Sequence, residues 1–298
     1  MPPLSAAFDE MIRIGRLLYS RQHVVAAEGN MSLALGGDLF LVTPSGVCKG
    51  ELTAADLLVV DSEGTLQSSP AAHQAAAEAF PSNSGDDWTF PETKPTTRAS
   101  SEWPLHREIY RQRPDIKAVC HAHSPWATAF AAAGQPLAGC LLPEIIATLG
   151  QVPLAQYATP GTSAVPESIL DLIPTHDALL LANHGVVTLG ATLTQAYHRL
   201  ESVERLAQVT LLSRLAGGER RLTAEEAAAA QSLATGQTRG EAPVPCEPAV
   251  TSVVSAPELS AKSNGADKQF MDSLDQAALL EDLVLRLARE IVLEIDRH

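Results

Sequence analysis

Although 45% of the 298 residues are hydrophobic, the chain has no apolar run near the eighteen or so residues of a membrane span. It is also poor in positive charge: 21 Lys and Arg stand against 35 Asp and Glu, a formal net charge of −14. This balance argues against nucleic acids and anionic membranes as partners. A soluble protein is therefore expected, in which any anionic ligand is held by local donors and not by the overall field.

Cysteine is scarce as well, with four residues scattered at 48, 120, 140 and 246. They are too sparse for a disulfide framework, so reduced thiols are the expectation. Cys120 stands beside His121 and could be a soft metal ligand, but it alternates to the opposite face of its strand and is read as core. The first ten residues lack the basic and apolar regions of a secretory signal, which favours a cytoplasmic location.

The most informative feature is the pair His121-Ala-His123, followed later in the chain by His184. Residues 118–123 read as a buried strand, and side chains two apart on a strand point to the same face. His184 follows the apolar run 178–182, where a second strand ends in a glycine turn. Three imidazoles with one carboxylate form a typical ligand set for a catalytic divalent ion. Each histidine taken alone also fits an ordinary core, surface or turn residue.

Taken together, several short motifs in this order resemble the class II aldolase/adducin family, from about residue 5 to about residue 215. The motifs are 29–32 (Gly-Asn-Met-Ser), 43–46 (Thr-Pro-Ser-Gly), 100–102 (Ser-Ser-Glu), 121–123 (His-Ala-His), 157–162 (Tyr-Ala-Thr-Pro-Gly-Thr) and 183–185 (Asn-His-Gly). The resemblance implies a three-layer αβα fold with a mixed, largely antiparallel central sheet. It also implies a homotetramer with one Zn²⁺, or another divalent ion, in each subunit.

The resemblance assigns His121, His123 and His184 to the metal and makes Glu102 the catalytic acid/base. Glu102 could instead be a helix-start residue that the helix dipole favours. The family's phosphate-holding positions match Asn30, Ser45, Gly46, Ser100 and Ser101, where small residues and a helix N-terminus suit an anion. Ordinary turns and a helix cap are the alternative reading of these five. The remaining histidines, His106 among them, are expected to be structural or solvent-exposed.

The implied reaction is cleavage of a ketose 1-phosphate, L-fuculose or L-rhamnulose 1-phosphate, to dihydroxyacetone phosphate and L-lactaldehyde. Breaking a carbon–carbon bond next to a carbonyl leaves an enediolate, which a divalent cation stabilises. No lysine stands in an apolar strand context for a Schiff base, which favours the metal route. Glu144 could protonate a leaving oxygen or form a surface ion pair.

Other enzymes of the same fold stay open as alternatives. They are the methylthioribulose-phosphate dehydratase, decarboxylase and pentose-phosphate 4-epimerase types. A non-enzymatic adducin-like module is disfavoured, because adducin-type heads lack the metal ligands.

The resemblance implies a catalytic domain over 1–216, and composition predicts a low-complexity insertion within it at 67–99. A helical extension (217–241), a Pro/Ser-rich linker (242–268) and an amphipathic helix (269–298) follow. This last helix resembles the peptides that target enzymes into bacterial microcompartments, where a shell or cargo protein would be its partner. It could equally fold back on its own domain. Within the catalytic domain, helices are predicted at 5–20, 101–112, 124–133, 166–172 and 192–215, and strands at 29–35, 39–43, 57–61, 116–121, 152–156 and 178–182.

Overall fold

The computed structural model describes residues 4–67, 98–137 and 139–232. Nearly all of the predicted insertion, and the whole of the predicted linker and terminal helix, lie outside these residues. The strands are β1 (Asn30–Gly36), β2 (Leu39–Val42), β3 (Leu58–Val60), β4 (Ala118–Ala122), β5 (Leu154–Ala155), β6 (Ala178–Leu181) and β7 (Gly185–Gly190). The α-helices are α1 (Leu4–Ser20), α2 (Trp103–Gln112), α3 (Pro125–Ala132), α4 (Pro143–Thr148), α5 (Ala164–Ser168), α6 (Leu193–Leu215) and α7 (Ala224–Ser232).

In the part of the chain that the structure describes, the strands form one sheet in the order β3-β2-β1-β4-β7-β6-β5. Neighbouring strands are antiparallel except for β5 and β6, which are parallel. The predicted mixed, largely antiparallel sheet is therefore confirmed. The first three strands are consecutive in sequence, whereas β4 at the centre pairs with strands from both halves of the chain. This central position matters because β4 carries the His-Ala-His motif.

Helices cover both faces of the sheet, and the side chains of each strand alternate between them. Cys120 and Leu180 face a core built with α1, α3 and α6. Their strand neighbours Val119 and Leu179 face a second core built with α2 and α5. The result is the predicted three-layer αβα arrangement, because each strand buries both of its faces. Cys120 is fully buried on the face opposite His121, as its alternation predicts.

Two elements are absent from the sequence-based prediction. Strand β7 lies between β4 and β6, and all six of its residues are buried. A fully buried strand shows no polar alternation, and the glycines at its two ends read as turns. The short helix α4 follows Leu142 and has Pro143 in its first turn. Helix α7 (Ala224–Ser232) lies within the predicted helical extension at 217–241, whose first described residues, 217–223, are not helical.

Two further observations concern solvent and redox state. Among the described helices, none combines the length and the apolar character needed to cross a membrane. Cys48 and Cys120 are free thiols, and burial raises the pKa of the Cys120 thiol to about 12. Cys140 is disulfide-bonded, so the expectation of reduced thiols is wrong for this residue.

Candidate metal centre

The three predicted metal ligands come from two neighbouring strands. His121 lies within β4, His123 follows its last residue, and His184 lies in the tight turn between β6 and β7. Because β4 pairs with β7 in a register that sets Ala122 opposite Val186, this turn stands beside the end of β4. The sheet register therefore brings together residues that are far apart in sequence.

Gly185 makes this close approach possible. A Cβ atom at position 185 would lie 2.5 Å from the carbonyl oxygen of Ala122 and 2.9 Å from Cδ2 of His123. Both distances are shorter than side-chain contacts allow, and the first involves backbone that cannot move aside. The glycine of the Asn-His-Gly motif thus leaves room for the His123 ring.

The three imidazoles converge on one point. One ligand atom from each ring lies within 4.8 Å of the others. The Nε2 atoms of His121 and His123 are 3.2 Å apart, and the ring centroids of the three residues are separated by 4.7 to 5.0 Å. Such a cluster of nitrogen donors fits zinc and other divalent ions of its class. The donor set therefore agrees with the metal site expected from sequence.

A hydrogen bond holds the His121 ring from behind, and a carboxylate lies near the outer nitrogen of the His123 ring. Nδ1 of His121 lies 2.9 Å from the carbonyl oxygen of Val186, which can only accept a hydrogen bond, so Nδ1 carries the proton. Nδ1 of His123 lies 3.6 Å from a carboxylate oxygen of Glu28. Acceptors at Nδ1 favour the tautomer that leaves Nε2 with a lone pair for a metal. Burial and the nearby His121 also lower the pKa of His123 to about 4, which keeps this ring neutral.

Glu102 stands against this cluster. Its carboxylate oxygens lie 3.1 Å from Nε2 of His121 and 2.9 Å from Nε2 of His184. The residue caps the start of α2, but its side chain makes no hydrogen bond to the helix, so capping alone does not explain it. Burial pushes the pKa of Glu102 up, yet the two imidazoles together outweigh burial and hold that pKa well below its ordinary value. The carboxylate is therefore ionised in the arrangement that the structure shows.

The five predicted phosphate residues occupy three neighbouring segments. An isolated bridge pairs Pro44 with Ala99, so the segment with Ser45 and Gly46 runs beside the segment that leads to Ser100. Asn30 and Ser100 both line a small pocket together with residues that include Thr43, Trp103 and His106. Ser45, Gly46 and Ser101 are exposed. Gly46 has φ of +74°, and no atom lies within 4 Å of the position where a Cβ would stand.

Asn30 has a further role that the sequence does not suggest. Its side-chain amide donates to a carboxylate oxygen of Glu102 at 2.6 Å, and its carbonyl oxygen lies 2.5 Å from Nε2 of His106. Asn30 pairs with His121 across β1 and β4, and Gly29 before it (φ +68°) packs against the backbone of His121. His106, read from sequence as structural or exposed, is 2% exposed and contacts the partner of the candidate acid/base. Its spacing of four from Glu102 is the signal that could have found it.

Glu144 is the other predicted catalytic residue, and its contacts differ from those of Glu102. It is exposed in the first turn of α4, where its backbone carbonyl accepts a hydrogen bond from the Thr148 hydroxyl. Within the described residues, no hydrogen bond or ion pair joins its carboxylate to Glu102 or to the three histidines. The structure therefore brings Glu102 to the candidate metal site and leaves the role of Glu144 as a prediction.

Comparison with known proteins gives a consistent result. Residues 9–211 match the family model described as "Class II Aldolase and Adducin N-terminal domain". An L-fuculose phosphate aldolase of Methanococcus maripaludis is 32% identical over 203 residues, which cover 68% of this chain and 95% of the relative. A 3-oxo-tetronate 4-phosphate decarboxylase of Escherichia coli K12 is 31% identical over 208 residues, covering 68% of this chain and 85% of the relative. A solved structure of an L-fuculose 1-phosphate aldolase superposes with a TM-score of 0.63 at 27% identity, covering 77% of this chain and 96% of that one.

Proposed function

Since the chain belongs to the class II aldolase and adducin family, we propose that it is a metal-dependent aldehyde-lyase acting on a phosphorylated ketose. The specific substrate proposed is L-fuculose or L-rhamnulose 1-phosphate, cleaved to dihydroxyacetone phosphate and L-lactaldehyde. The observation that carries the proposal is the convergence of three imidazole nitrogens, all within 4.8 Å of one another, beside an ionised carboxylate.

His121, His123 and His184 are the residues that would hold the ion, and zinc is the metal we expect. When bound, a divalent cation supplies Lewis-acid stabilisation for the negative charge that bond cleavage creates on the substrate's oxygen atoms. The acceptor at Nδ1 of His121 turns Nε2 of that ring toward the ion, and the lowered pKa of His123 keeps the second ring neutral.

Glu102 moves the proton in this proposal. Cleavage of the bond between two substrate carbons leaves an electron pair on the carbon that stays attached to the phosphate-bearing fragment. That carbon must be protonated before release, and the substrate hydroxyl on the departing fragment must lose a proton as its carbonyl forms. The Glu102 carboxylate lies 2.9 to 3.1 Å from two of the nitrogens that would hold the ion, which supports its role in either step.

The phosphate group is assigned to the edge formed by the exposed residues Ser45, Gly46 and Ser101 and the half-buried Ser100, with Asn30 at its inner end. The segment carrying Ser100 and Ser101 leads into α2, whose N-terminus favours an anion. Open space above Gly46 leaves room for a ligand next to the backbone. Such local donors are what an acidic protein with a net charge of −14 needs to bind an anionic sugar.

A decarboxylase is the second candidate, because the relative from Escherichia coli carries that name at nearly the same identity. Both reactions break a carbon–carbon bond next to a carbonyl, so the same metal centre and Glu102 would serve either. Dehydratase and epimerase branches are less well supported. Glu144 stays in the proposal as a proton donor to a leaving oxygen; an unchanged kcat in Glu144→Gln would remove it.

The test is a panel of phosphorylated ketoses and 3-oxo acid phosphates incubated with metal-loaded protein. Both reactions release dihydroxyacetone phosphate, so the second product separates them: L-lactaldehyde reports aldol cleavage, and carbon dioxide reports decarboxylation. Dihydroxyacetone phosphate from L-fuculose or L-rhamnulose 1-phosphate supports the proposal. Carbon dioxide together with dihydroxyacetone phosphate from a 3-oxo-tetronate 4-phosphate, with no cleavage of the ketose phosphates, would replace the aldolase by the decarboxylase. No product from any substrate with metal bound would contradict both.

We also propose a homotetramer, as implied by the family resemblance, and a targeting role for segment 269–298. Light scattering of the full chain tests the homotetramer.

The targeting role is tested by truncation. A protein that ends near residue 240 should stay soluble and active, and should lose recruitment to a microcompartment. Loss of folding on truncation would contradict an address function.

A further inference from the structure

We propose that a one-way chain of hydrogen bonds, from Tyr110 through Ser32, His106 and Asn30, positions Glu102 as a proton acceptor. Within this series of hydrogen bonds, His106 is a positioning residue that acts on Glu102 through Asn30. The inference rests on the proposed function of Glu102, but its geometry and its main readout do not depend on which substrate the enzyme takes.

The contacts are short and continuous. Asn30 donates its amide to Glu102 at 2.6 Å, and its carbonyl oxygen meets Nε2 of His106 at 2.5 Å. On the other side of the ring, Nδ1 of His106 lies 2.6 Å from the Ser32 hydroxyl, which lies 2.7 Å from the Tyr110 hydroxyl. Asn30, Ser32 and His106 are each exposed by 4% or less. Water therefore has little access to the chain between its two ends.

Secondary structure explains why the chain forms. Glu102, which directly precedes α2, and His106 and Tyr110 within it are four residues apart. Their side chains therefore lie on one face of this helix. Asn30 and Ser32 are spaced by two, so they share one face of β1. Four helical residues rise about 6 Å, and two strand residues span about 6.6 Å. Because the two repeats nearly match, strand and helix side chains interleave, and each strand residue falls between two helix residues.

The direction of the chain follows from its last member. The Asn30 NH₂ group donates to the Glu102 carboxylate, so the Asn30 oxygen faces His106. That oxygen can only accept, so Nε2 of His106 carries the proton. Burial, and then the nearby His121, lower the pKa of His106 to about 3, so the ring is neutral near pH 7 and its Nδ1 is an acceptor. Ser32 must then donate to Nδ1, and Tyr110 must donate to Ser32.

Every donor in this series has one acceptor. Reversing the donor and acceptor roles of any single group would leave a buried polar atom without a hydrogen-bond partner. The chain therefore fixes the amide of Asn30 and, through it, one oxygen of Glu102. The other oxygen lies 2.9 Å from Nε2 of His184. The carboxylate is thus held at both oxygens, as an acid/base group needs when it must reach one substrate atom.

The first test reads the His106 tautomer directly. Full-length protein with isotope-labelled histidine rings is studied by nitrogen NMR near pH 7, and the His106 signal is assigned by its loss in His106→Gln. The expected result is a neutral ring with the proton on Nε2. A proton on Nδ1, or a charged ring, would overturn the proposed direction. This measurement needs no substrate, so it is readable even if no ketose phosphate is cleaved and the proposed function fails.

The second test separates positioning from simple packing. His106→Leu removes both ring contacts, whereas the amide of His106→Gln can donate to Asn30 and accept from Ser32. We expect kcat to fall about 10- to 100-fold in His106→Leu, with metal content unchanged and a smaller change in KM, and to recover most of that loss in His106→Gln. His198→Leu, at an exposed histidine of α6, is the matched control. Equal kcat in the Leu and Gln variants would overturn the role of His106.

If His106→Leu does not fold, Tyr110→Phe takes its place. It removes one hydroxyl at the far end of the chain and keeps the ring that packs near Phe40. The expected outcome is a shift of the His106 Nδ1 signal, because Ser32 loses its donor. Unchanged His106 nitrogen signals would show that the four groups are not coupled.

Discussion

The Nδ1 atom of His121 lies 2.9 Å from the carbonyl oxygen of Val186 in the neighbouring strand. This contact fixes which nitrogen of His121 faces the other two histidines. It depends on the register of β4 against β7, which also places the turn with His184. Ligand orientation and ligand proximity therefore have one structural cause, the pairing of these two strands.

Glu102→Gln should lower kcat about 10²- to 10⁴-fold, because a neutral amide cannot accept or return the proton. Metal content should stay at the wild-type level, since the three imidazoles are intact. Glu63→Gln, at a well-exposed carboxylate paired with Arg107, is the matched control and should keep its activity. Steady-state kinetics with metal analysis decide the matter. A Glu102→Gln enzyme with wild-type kcat would exclude Glu102 as the acid/base.

Glu28→Gln should weaken metal binding, because the carboxylate 3.6 Å from Nδ1 of His123 helps to hold that ring with Nε2 toward the ion. We expect the metal dissociation constant to rise by about 10-fold, the lower end of such effects, because Glu28 is partly exposed. Lys49 donates to the carbonyl of Ala27 beside this residue and should keep the loop in place. Competition with a chelating dye measures the constant, and an unchanged value would contradict the role.

Acid should destabilise the metal-free protein partly through His106. Its folded pKa of about 3 lies below the value of about 6.5 of an unfolded histidine, so the unfolded state binds more protons between these two values. The stability that this residue contributes is complete above pH 6.5 and is lost as pH falls toward 3, by about 1.4 kcal/mol per pH unit. Denaturant unfolding of wild type and His106→Gln from pH 7 to pH 4 measures the difference. Parallel pH profiles would refute it.

Asp177→Asn should destabilise the fold away from the metal centre. Its two carboxylate oxygens each lie 2.8 Å from a guanidinium nitrogen, one of Arg113 and one of Arg199, whose side chains are at most 9% exposed. Removing the charge takes the carboxylate from buried Arg199, whereas Arg113 keeps its contact with Asp115. The expected cost is therefore about 3 kcal/mol, the low end for a broken buried ion pair. Asp171→Asn, at an exposed site, is the control. A shift of the unfolding midpoint no larger than that of the control would mean that the cluster contributes little.

Much of the site could be predicted from sequence because its ligands belong to short local motifs. The strand period alone places His121 and His123 on one face, and His184 follows an apolar run that ends in a turn. Strand β7 was missed because its uniform burial and terminal glycines carry no alternating pattern. The contact between His121 and Val186 was therefore beyond prediction, since it needs both strands and their register.

The hydrogen-bond chain behind Glu102 was also missed, for a related reason. His106 and Ser32 belong to different elements, and nothing local in either element reports the other. Their spacings of four and two become informative only when α2 is known to lie over β1. Asn30 was assigned to phosphate from its motif, whereas the structure shows its amide engaged with Glu102 and His106.

Crystals of the full chain grown with zinc, with diffraction measured on both sides of the zinc absorption edge, give the most direct test of the metal centre. We predict one anomalous peak per chain, about 2.0 to 2.1 Å from the Nε2 atoms of His121, His123 and His184. His184→Ala crystals should lose this peak, and crystals of the exposed-site variant His198→Ala should keep it. No peak at the three rings, or a His184 ring turned away from an ion held by other residues, would contradict the account.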